Sequence, residues 1–465
     1  MKKFYKLSPI THPWINNLLS DKDLLYQTVA KYGSPLYLYS IQPFLENLNN
    51  FKSILQRYLN SYRVYFARKP NHCFLFSKAA IDNNYGVDTA SYRELSECIK
   101  YQANGDYIFT AAIKEEKAII LAIVNKTIII VDNVDESRII SKIAKKIGKP
   151  AQIGIRVAGF KDNKGKKINS RFGFDIDKLP YLFQDLIQKS NVQLKGFHFH
   201  LNDYQIQSRV SALGQLIPFY QLAKKIGHHV EFIDIGGGFL VNYLKNEKEW
   251  IKFNDKLKKC VEQKNDQITY MNHPLHLSEF NNKAQKVGNL YPYFNQLNKE
   301  KVVKKVLTSK YNGVSIYSIL NRNHIRLQIE PGRSSLDQSG ITVARVMFRK
   351  QDIFGNWLVG LNMGFTQLLS SSSEFAVDPV VVYKNFSSLK EYVDVNFVGN
   401  YCMERDVIQR RIIRLNRLPK IGDLVIFINT AGYMSHFLAT NSHLFEPPYN
   451  IFIDKNHNLQ VDKYR

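Results

Sequence analysis

Eight short apolar, β-branched runs recur through the first two thirds of the chain: Arg63 to Phe66, Tyr85 to Val87, Tyr107 to Phe109, Thr127 to Val131, Gln152 to Val157, Gln193 to Phe199, His229 to Ile235 and Ile325 to Ile329. Each is short enough for a buried strand, and most are separated by stretches with helical periodicity. That alternation predicts the α/β class, specifically a (β/α)8 TIM-type barrel. Residues suited to chemistry stand at or just beyond the C-terminal ends of most runs: Lys69, Asp88, Arg156, His200, the Gly236-Gly237-Gly238 turn, and Glu330 with Arg333. In a closed parallel barrel those ends meet at one mouth.

After Gly340 the pattern changes. Ile341 to Phe348, Trp357 to Leu361, Pro379 to Tyr383, Tyr392 to Val398 and Leu424 to Asn429 read as strands without regular helices between them, which predicts a C-terminal antiparallel β domain. The boundaries expected from these shifts are a barrel over 35–333, and a β-rich second domain made of 1–34 and 334–465. Residues 241–324 form a lysine- and asparagine-rich insertion before the eighth run. It is too long for a simple crossover and reads as a helical cap or a partner-contact element.

The composition, 465 residues of which 45% are hydrophobic, excludes a disordered chain. Four scattered cysteines, with no CxxC pair and no metal-ligand spacing, fit a reduced, cytoplasmic setting without structural metal. The basic N-terminus is interrupted by Lys6, Ser8, Thr11 and His12, so it does not read as a signal peptide, and no apolar stretch is long enough to span a bilayer. The net charge of +24 comes from dispersed lysine clusters without a nucleic-acid-binding motif. It is read as solvated surface or as a field attracting anions, not as a nucleic-acid partner.

A lysine, two carboxylates, an arginine, a histidine and a glycine-rich anion cradle around one mouth make a pocket for a phosphorylated aldehyde cofactor. A lysine amine condenses with an aldehyde, and a conjugated ring then accepts the electrons left at a substrate carbon. Consecutive glycines let backbone N–H groups approach a phosphate. Each residue also has a plainer reading: a surface lysine at 69, an ordinary salt bridge for Glu330, a flexible turn at 236–238, a core histidine at 200, and an Arg156–Asp88 ion pair.

The ordered series of motifs resembles the fold-type III pyridoxal-phosphate enzymes, the diaminopimelate, ornithine and arginine decarboxylases and, more distantly, alanine racemase. Phe66-Ala67-Arg68-Lys69-Pro70-Asn71 is similar to that family's Y-A-x-K-A-N segment, and Gly86-Val87-Asp88-Thr89-Ala90-Ser91 with Glu94-Leu95 to its G-x-D-x-x-S…E-L stretch. Ile155-Arg156-Val157, Arg171-Phe172-Gly173, Gly196 to His200, Asp234 to Phe239 and Glu330-Pro331-Gly332-Arg333-Ser334 follow in the family's order, from about Gly33 to about Phe437 overall. The resemblance implies pyridoxal 5′-phosphate as cofactor, joined to Lys69 as a Schiff base. It places Glu330 at the pyridine nitrogen, His200 against the ring face with His198 as a rival for that side, and Arg156 near the phenolic oxygen. Asp88 would support Lys69 or the cofactor edge, and Gly236, Gly237, Gly238, Arg333 and Tyr433 would surround the phosphate. Val398 to Asp406 resembles the G-P-x-C-E-S-x-D segment, which implies Cys402 as an acid reaching a neighbouring subunit's site and hence a homodimer with shared sites. A lone cysteine is otherwise a small apolar filler.

Departures cluster where substrate is chosen. Asn202-Asp203 replaces the usual Gly-Ser, Met403 an acid, Asn400 a proline, and Asn362-Met363-Gly364 an acidic D-x-G. The expectation is a divergent decarboxylase whose small-molecule substrate is an unusual amino acid, with an amino-acid racemase or a noncatalytic regulator as alternatives.

Overall fold

The computed structural model describes residues 5–162, 164–263, 267–287, 290–370, 375–386, 388, 390–438, 440 and 442–464. All eight predicted runs are strands: Tyr62–Ala67, Gly86–Thr89, Tyr107–Phe109, Ile128–Val131, Ala151–Ala158, Val192–His198, Phe232–Asp234 and Arg326–Ile329. Each pairs in parallel with the next, and Arg326–Ile329 pairs back with Tyr62–Ala67, closing the barrel.

Two crossover helices begin with the same device. Ser91 accepts the Glu94 N–H at 3.2 Å while Glu94 accepts the Ala90 N–H at 2.7 Å. Asn133 accepts the Glu136 N–H at 2.9 Å while Glu136 accepts the Asp132 N–H at 2.7 Å. Such reciprocal caps satisfy N–H groups that helix geometry leaves unpaired, and they fix the turn leaving each strand. The Ser91 and Glu94 of the family-like stretch are thus a helix start, with Leu95 buried beneath it.

The second sheet has nine strands and is mostly antiparallel. The two exceptions are Leu36–Tyr39 with Tyr449–Ile453 and Trp357–Leu361 with Val393–Val398, which run parallel. Strand alternation sends successive side chains to opposite faces. Leu424, Ile426 and Ile428 pack with Ile15, Leu18, Leu25 and Val29 of the N-terminal helices Pro13–Ser20 and Lys22–Tyr32. Val425 and Phe427 face the other core, with Tyr243, Phe253 and Tyr293 of the insertion.

Two boundaries move. Leu36–Tyr39, expected inside the barrel domain, is a strand of the second sheet, antiparallel to Gly340–Gln351. Its Leu36 and Leu38 join the N-terminal helices, while Tyr37 and Tyr39 join the barrel core, so it belongs to both layers. The 241–324 insertion also divides. Its first part, with helix Glu247–Gln263, packs on the second sheet's core. Its last part supplies helix Lys299–Thr308, which lies against helices Ile41–Tyr58 and Ile206–Ile226 as an ordinary member of the barrel's outer ring. Among the described residues no helix is long and apolar enough to cross a membrane.

Leu307 is fully buried in the barrel core. Leu307→Ala should therefore lower stability by about 2–5 kcal/mol in urea unfolding, the usual cost of a core cavity. A loss below ~0.5 kcal/mol, typical of a surface position, would show that this helix is a detachable part of the insertion.

Candidate active site

The barrel's C-terminal mouth opens into a cavity of about 510 Å³ lined by Lys69, His200, Gly237, Gly238, Glu330, Arg333 and Tyr433 together with Asn202, Tyr204 and Tyr291. Seven sequence-predicted residues thus meet in one space. A neighbouring cavity of about 560 Å³ holds Arg156, Arg171 and Phe172, and the two share His200, Leu201 and Asn202.

Lys69 leaves the end of the first barrel strand, and its side chain is 37% exposed, whereas its partner Asp88 is 1% exposed. The Lys69 Nζ donates to Asp88 Oδ2 at 3.2 Å, and Thr110 Oγ1 donates to Asp88 Oδ1 at 2.5 Å. Burial pushes the Lys69 ammonium toward losing its proton, but the carboxylates of Asp88 and Glu330 outweigh it and hold the amine above its ordinary value. Burial, reinforced by Glu330, raises the Asp88 carboxyl in turn.

Glu330 is almost wholly buried. Its Oε2 lies 3.4 Å from His198 Nε2, and its Oε1 has no hydrogen-bond partner. Burial raises the Glu330 carboxyl, opposed by Lys69 and Arg156. Asp234 beside it is raised well above its ordinary value by burial and then by Glu330. Burial likewise keeps His198 and His200 well below theirs, so both rings are neutral. His198 ends its strand against Glu330 in the barrel interior, and His200 lines the cavity.

The glycine turn is held by its carbonyls. Gly236 O accepts the Glu330 N–H at 3.0 Å, and Arg209 Nη2 donates to Gly237 O at 3.2 Å and Gly238 O at 3.1 Å. Gly236 has φ +64°, and a Cβ there would meet His200 Nδ1 at 2.7 Å. A Cβ at Gly237 would collide with the Glu330 carbonyl oxygen. Two N–H groups of the turn are engaged within the protein, Gly236 with Asp234 Oδ1 at 2.7 Å and Gly237 with His200 Nδ1 at 3.3 Å. Tyr433 sits in the left-handed region at φ +70°, a strained position for a tyrosine. Its N–H donates to Pro70 O at 2.9 Å, tying it to the lysine loop.

Arg156 and Asp88 do not pair with each other. Arg156 Nη1 is 3.9 Å from Asp132 Oδ1 and its guanidinium stacks 4.1 Å from the Phe172 ring centre. Cys402 is exposed, in the turn between Val393–Val398 and Val407–Leu415, outside the residues lining either cavity. Asp203, the departure from Gly-Ser, accepts from the Gln205 N–H at 3.2 Å and Ser208 Oγ at 2.7 Å, bracing the start of helix Ile206–Ile226. Thr110, Asp132, Arg209, Asp234, Tyr243 and Tyr291 were not assigned from sequence. Only Asp234 carried a signal, its place just before the glycines.

Residues 44–275 match the family model described as the pyridoxal-binding domain of pyridoxal-dependent decarboxylases. The chain is 24% identical over 418 residues to the diaminopimelate decarboxylase of Archaeoglobus fulgidus, covering 88% of this chain and 85% of that one. It is 26% identical over 432 residues to y4yA, an uncharacterized protein of Sinorhizobium fredii, covering 91% and 89%. Among solved structures, M. jannaschii diaminopimelate decarboxylase aligns with TM-score 0.71 at 17% identity over 95% of this chain and 92% of that one. The Helicobacter pylori enzyme aligns with TM-score 0.70 at 19% identity over 96% of both. The chain belongs to the fold-type III pyridoxal-phosphate-dependent decarboxylases, carbon–carbon lyases whose cofactor is pyridoxal 5′-phosphate. The residues present fit that cofactor. The buried, unpartnered Glu330 Oε1 can take a protonated pyridine nitrogen, and at the glycine turn the carbonyls are drawn off by Arg209 and the Glu330 N–H.

Two outcomes follow. Condensation with an aldehyde needs a neutral amine, so cofactor loading of the apoprotein should accelerate as pH rises through neutrality. Asp88→Asn, by removing the carboxylate that does most to hold the Lys69 proton, should move that profile to lower pH, read as the growth of visible absorbance. An unshifted profile would contradict the coupling. Glu330 has a raised pKa, so the native apoprotein binds a proton the unfolded chain has released, and stability falls as pH rises from the ordinary glutamate range toward the raised value. Glu330→Gln should flatten that slope in apoprotein denaturation measured at several pH values. An unchanged slope would count against it.

Proposed function

We propose that this chain removes the α-carboxylate of an amino acid as carbon dioxide, with Lys69 as the residue that carries the cofactor. The observation that supports this most is the meeting of the Lys69–Asp88 pair with the unpartnered Glu330 Oε1 at one barrel mouth. When bound, pyridoxal phosphate supplies a conjugated ring that takes up the electron pair left at the α carbon.

The protein's own residues do the rest. Lys69 Nζ would hold the cofactor at its aldehyde, the carbonyl oxygen leaving as water, and Asp88, itself held by Thr110, orients that amine. Glu330 would hold a proton at the ring nitrogen, which would keep the ring electron-poor. His200, fixed at Nδ1 by the Gly237 N–H, would help hold the ring from the cavity wall, and Arg156 would supply positive charge from the neighbouring cavity. Gly236, Gly237 and Gly238 would shape the turn beside the phosphate and keep their carbonyl oxygens away from it, while the Gly238 N–H, Arg333 and Tyr433 would hold the group, the Gly236 and Gly237 N–H groups being engaged by Asp234 and His200. Asp203 takes no part, since its carboxylate serves the helix start.

Cys402 returns a proton to the α carbon. Because it lies exposed and away from its own cavity, this role needs a homodimer in which each subunit completes its partner's site. Cys73, Cys98 and Cys402 are free thiols, in keeping with a reducing, cytoplasmic compartment.

Carbon dioxide release from a panel of amino acids tests the reaction. A substrate whose α hydrogen exchanges with deuterium but which loses no carbon dioxide would replace decarboxylation with racemisation. Lys69→Ala and Cys402→Ala homodimers should each lose at least about 100-fold in kcat, and mixing them should recover up to roughly a quarter of wild-type activity through hybrid dimers with one intact site. No recovery on mixing would refute shared sites.

A further inference from the structure

The insertion between the seventh and eighth barrel strands reaches the cavity through Tyr291, which lines it, and through Tyr243, which meets the lining residue Arg333. Tyr243 and Tyr291 are each 2% exposed, and both stand beside Arg333. Arg333 Nη1 donates to the Tyr243 hydroxyl at 3.2 Å, and the guanidinium carbon lies 4.5 Å from the Tyr291 ring centre and 5.1 Å from that of Tyr433. The two insertion tyrosines are held in turn. Their rings meet edge to face at 5.7 Å, and the Val241 N–H donates to the Tyr291 hydroxyl at 2.8 Å. Tyr243 also packs on Tyr293 at 5.2 Å, and Tyr293 on Phe375 of the second domain at 6.4 Å.

From this we infer that Tyr243, braced by Tyr291, is a positioning residue for cofactor affinity: it fixes the plane of the Arg333 guanidinium so that the fork presents to the phosphate group. The inference rests on the reading of Arg333 as a phosphate ligand. A guanidinium carries its five N–H donors in one rigid plane, so one donor tied to Tyr243 and the plane set against two rings direct the others. An arginine at the end of an unbraced side chain would lose rotamer entropy each time it met the anion, and this cage removes that loss beforehand. The device also gives the insertion a task at the active site, in addition to its packing on the second sheet.

The test compares pyridoxal phosphate with pyridoxal, which lacks the phosphate, titrated into the full-length apoprotein and followed by visible absorbance. Tyr243→Phe keeps the ring and deletes the hydroxyl. It should weaken pyridoxal phosphate about tenfold and leave pyridoxal within about twofold, because a hydrogen bond to a charged group is lost only where that charge is used. Arg333→Met should show the same selective loss or a larger one. The double variant should be no weaker than Arg333→Met alone, since Tyr243 acts through the arginine. A Tyr243→Phe protein that weakens both ligands equally, or neither, while Arg333→Met keeps its phosphate-selective loss, would overturn this inference and leave the Arg333 reading intact. Equal weakening of both ligands by Arg333→Met would remove Arg333 from the phosphate site, and the inference with it.

Discussion

One electrostatic constraint organises the barrel mouth: three buried carboxyl groups, Asp88, Asp234 and Glu330, cluster beneath the cavity around the amine of Lys69. Like charges at such depth disfavour ionisation, and each carboxyl is raised. An assembly of this kind is costly to a folded chain unless cations offset it. Lys69 and Arg156 do so in part, and Glu330 Oε1 remains without a hydrogen bond. A ligand bearing a protonated ring nitrogen would relieve that deficit, so under the proposed function the same residues that burden the apoprotein would favour the loaded one. The trade is characteristic of a site shaped for a ligand and not for stability.

Positioning these groups takes more than the barrel. Tyr433 comes from the second domain and is tied to the lysine loop through Pro70, while Asn71 Nδ2 donates to Ala431 O at 3.0 Å. Strand Leu36–Tyr39 shows how the two layers are fused, one face of its side chains in each core. The insertion adds a third contribution, its aromatic stack running from Trp250 through Tyr293 and Tyr243 to Arg333. The cavity is therefore walled by three parts of the chain that are far apart in sequence, and the rigidity of the site derives from their packing.

Much of this was legible in the sequence, for identifiable reasons. The eight barrel strands stand out because a parallel strand buried on both faces must be continuously apolar, and the chemistry sits at their ends because only there does the backbone open to solvent. Leu36–Tyr39 was misplaced by the same rule, since a strand apolar on both faces reads alike in either sheet. Ser91 and Glu94 drew attention as part of a motif, yet their work is to cap a helix. Arg209 was invisible because an arginine within a helical stretch usually marks a solvated face, whereas here it is 1% exposed and holds the glycine turn. Tyr243 and Tyr291 lie in an irregular segment where no period exists to say which way they face.

The central claim is that one amine, Lys69 Nζ, carries the cofactor. Borohydride reduction of the pyridoxal-phosphate-loaded protein, followed by peptide mass mapping, tests it most directly. The account predicts a single phosphopyridoxyl group on the peptide bearing Lys69, absent from Lys69→Ala. A label on another lysine at equal yield, or none at all, would contradict it.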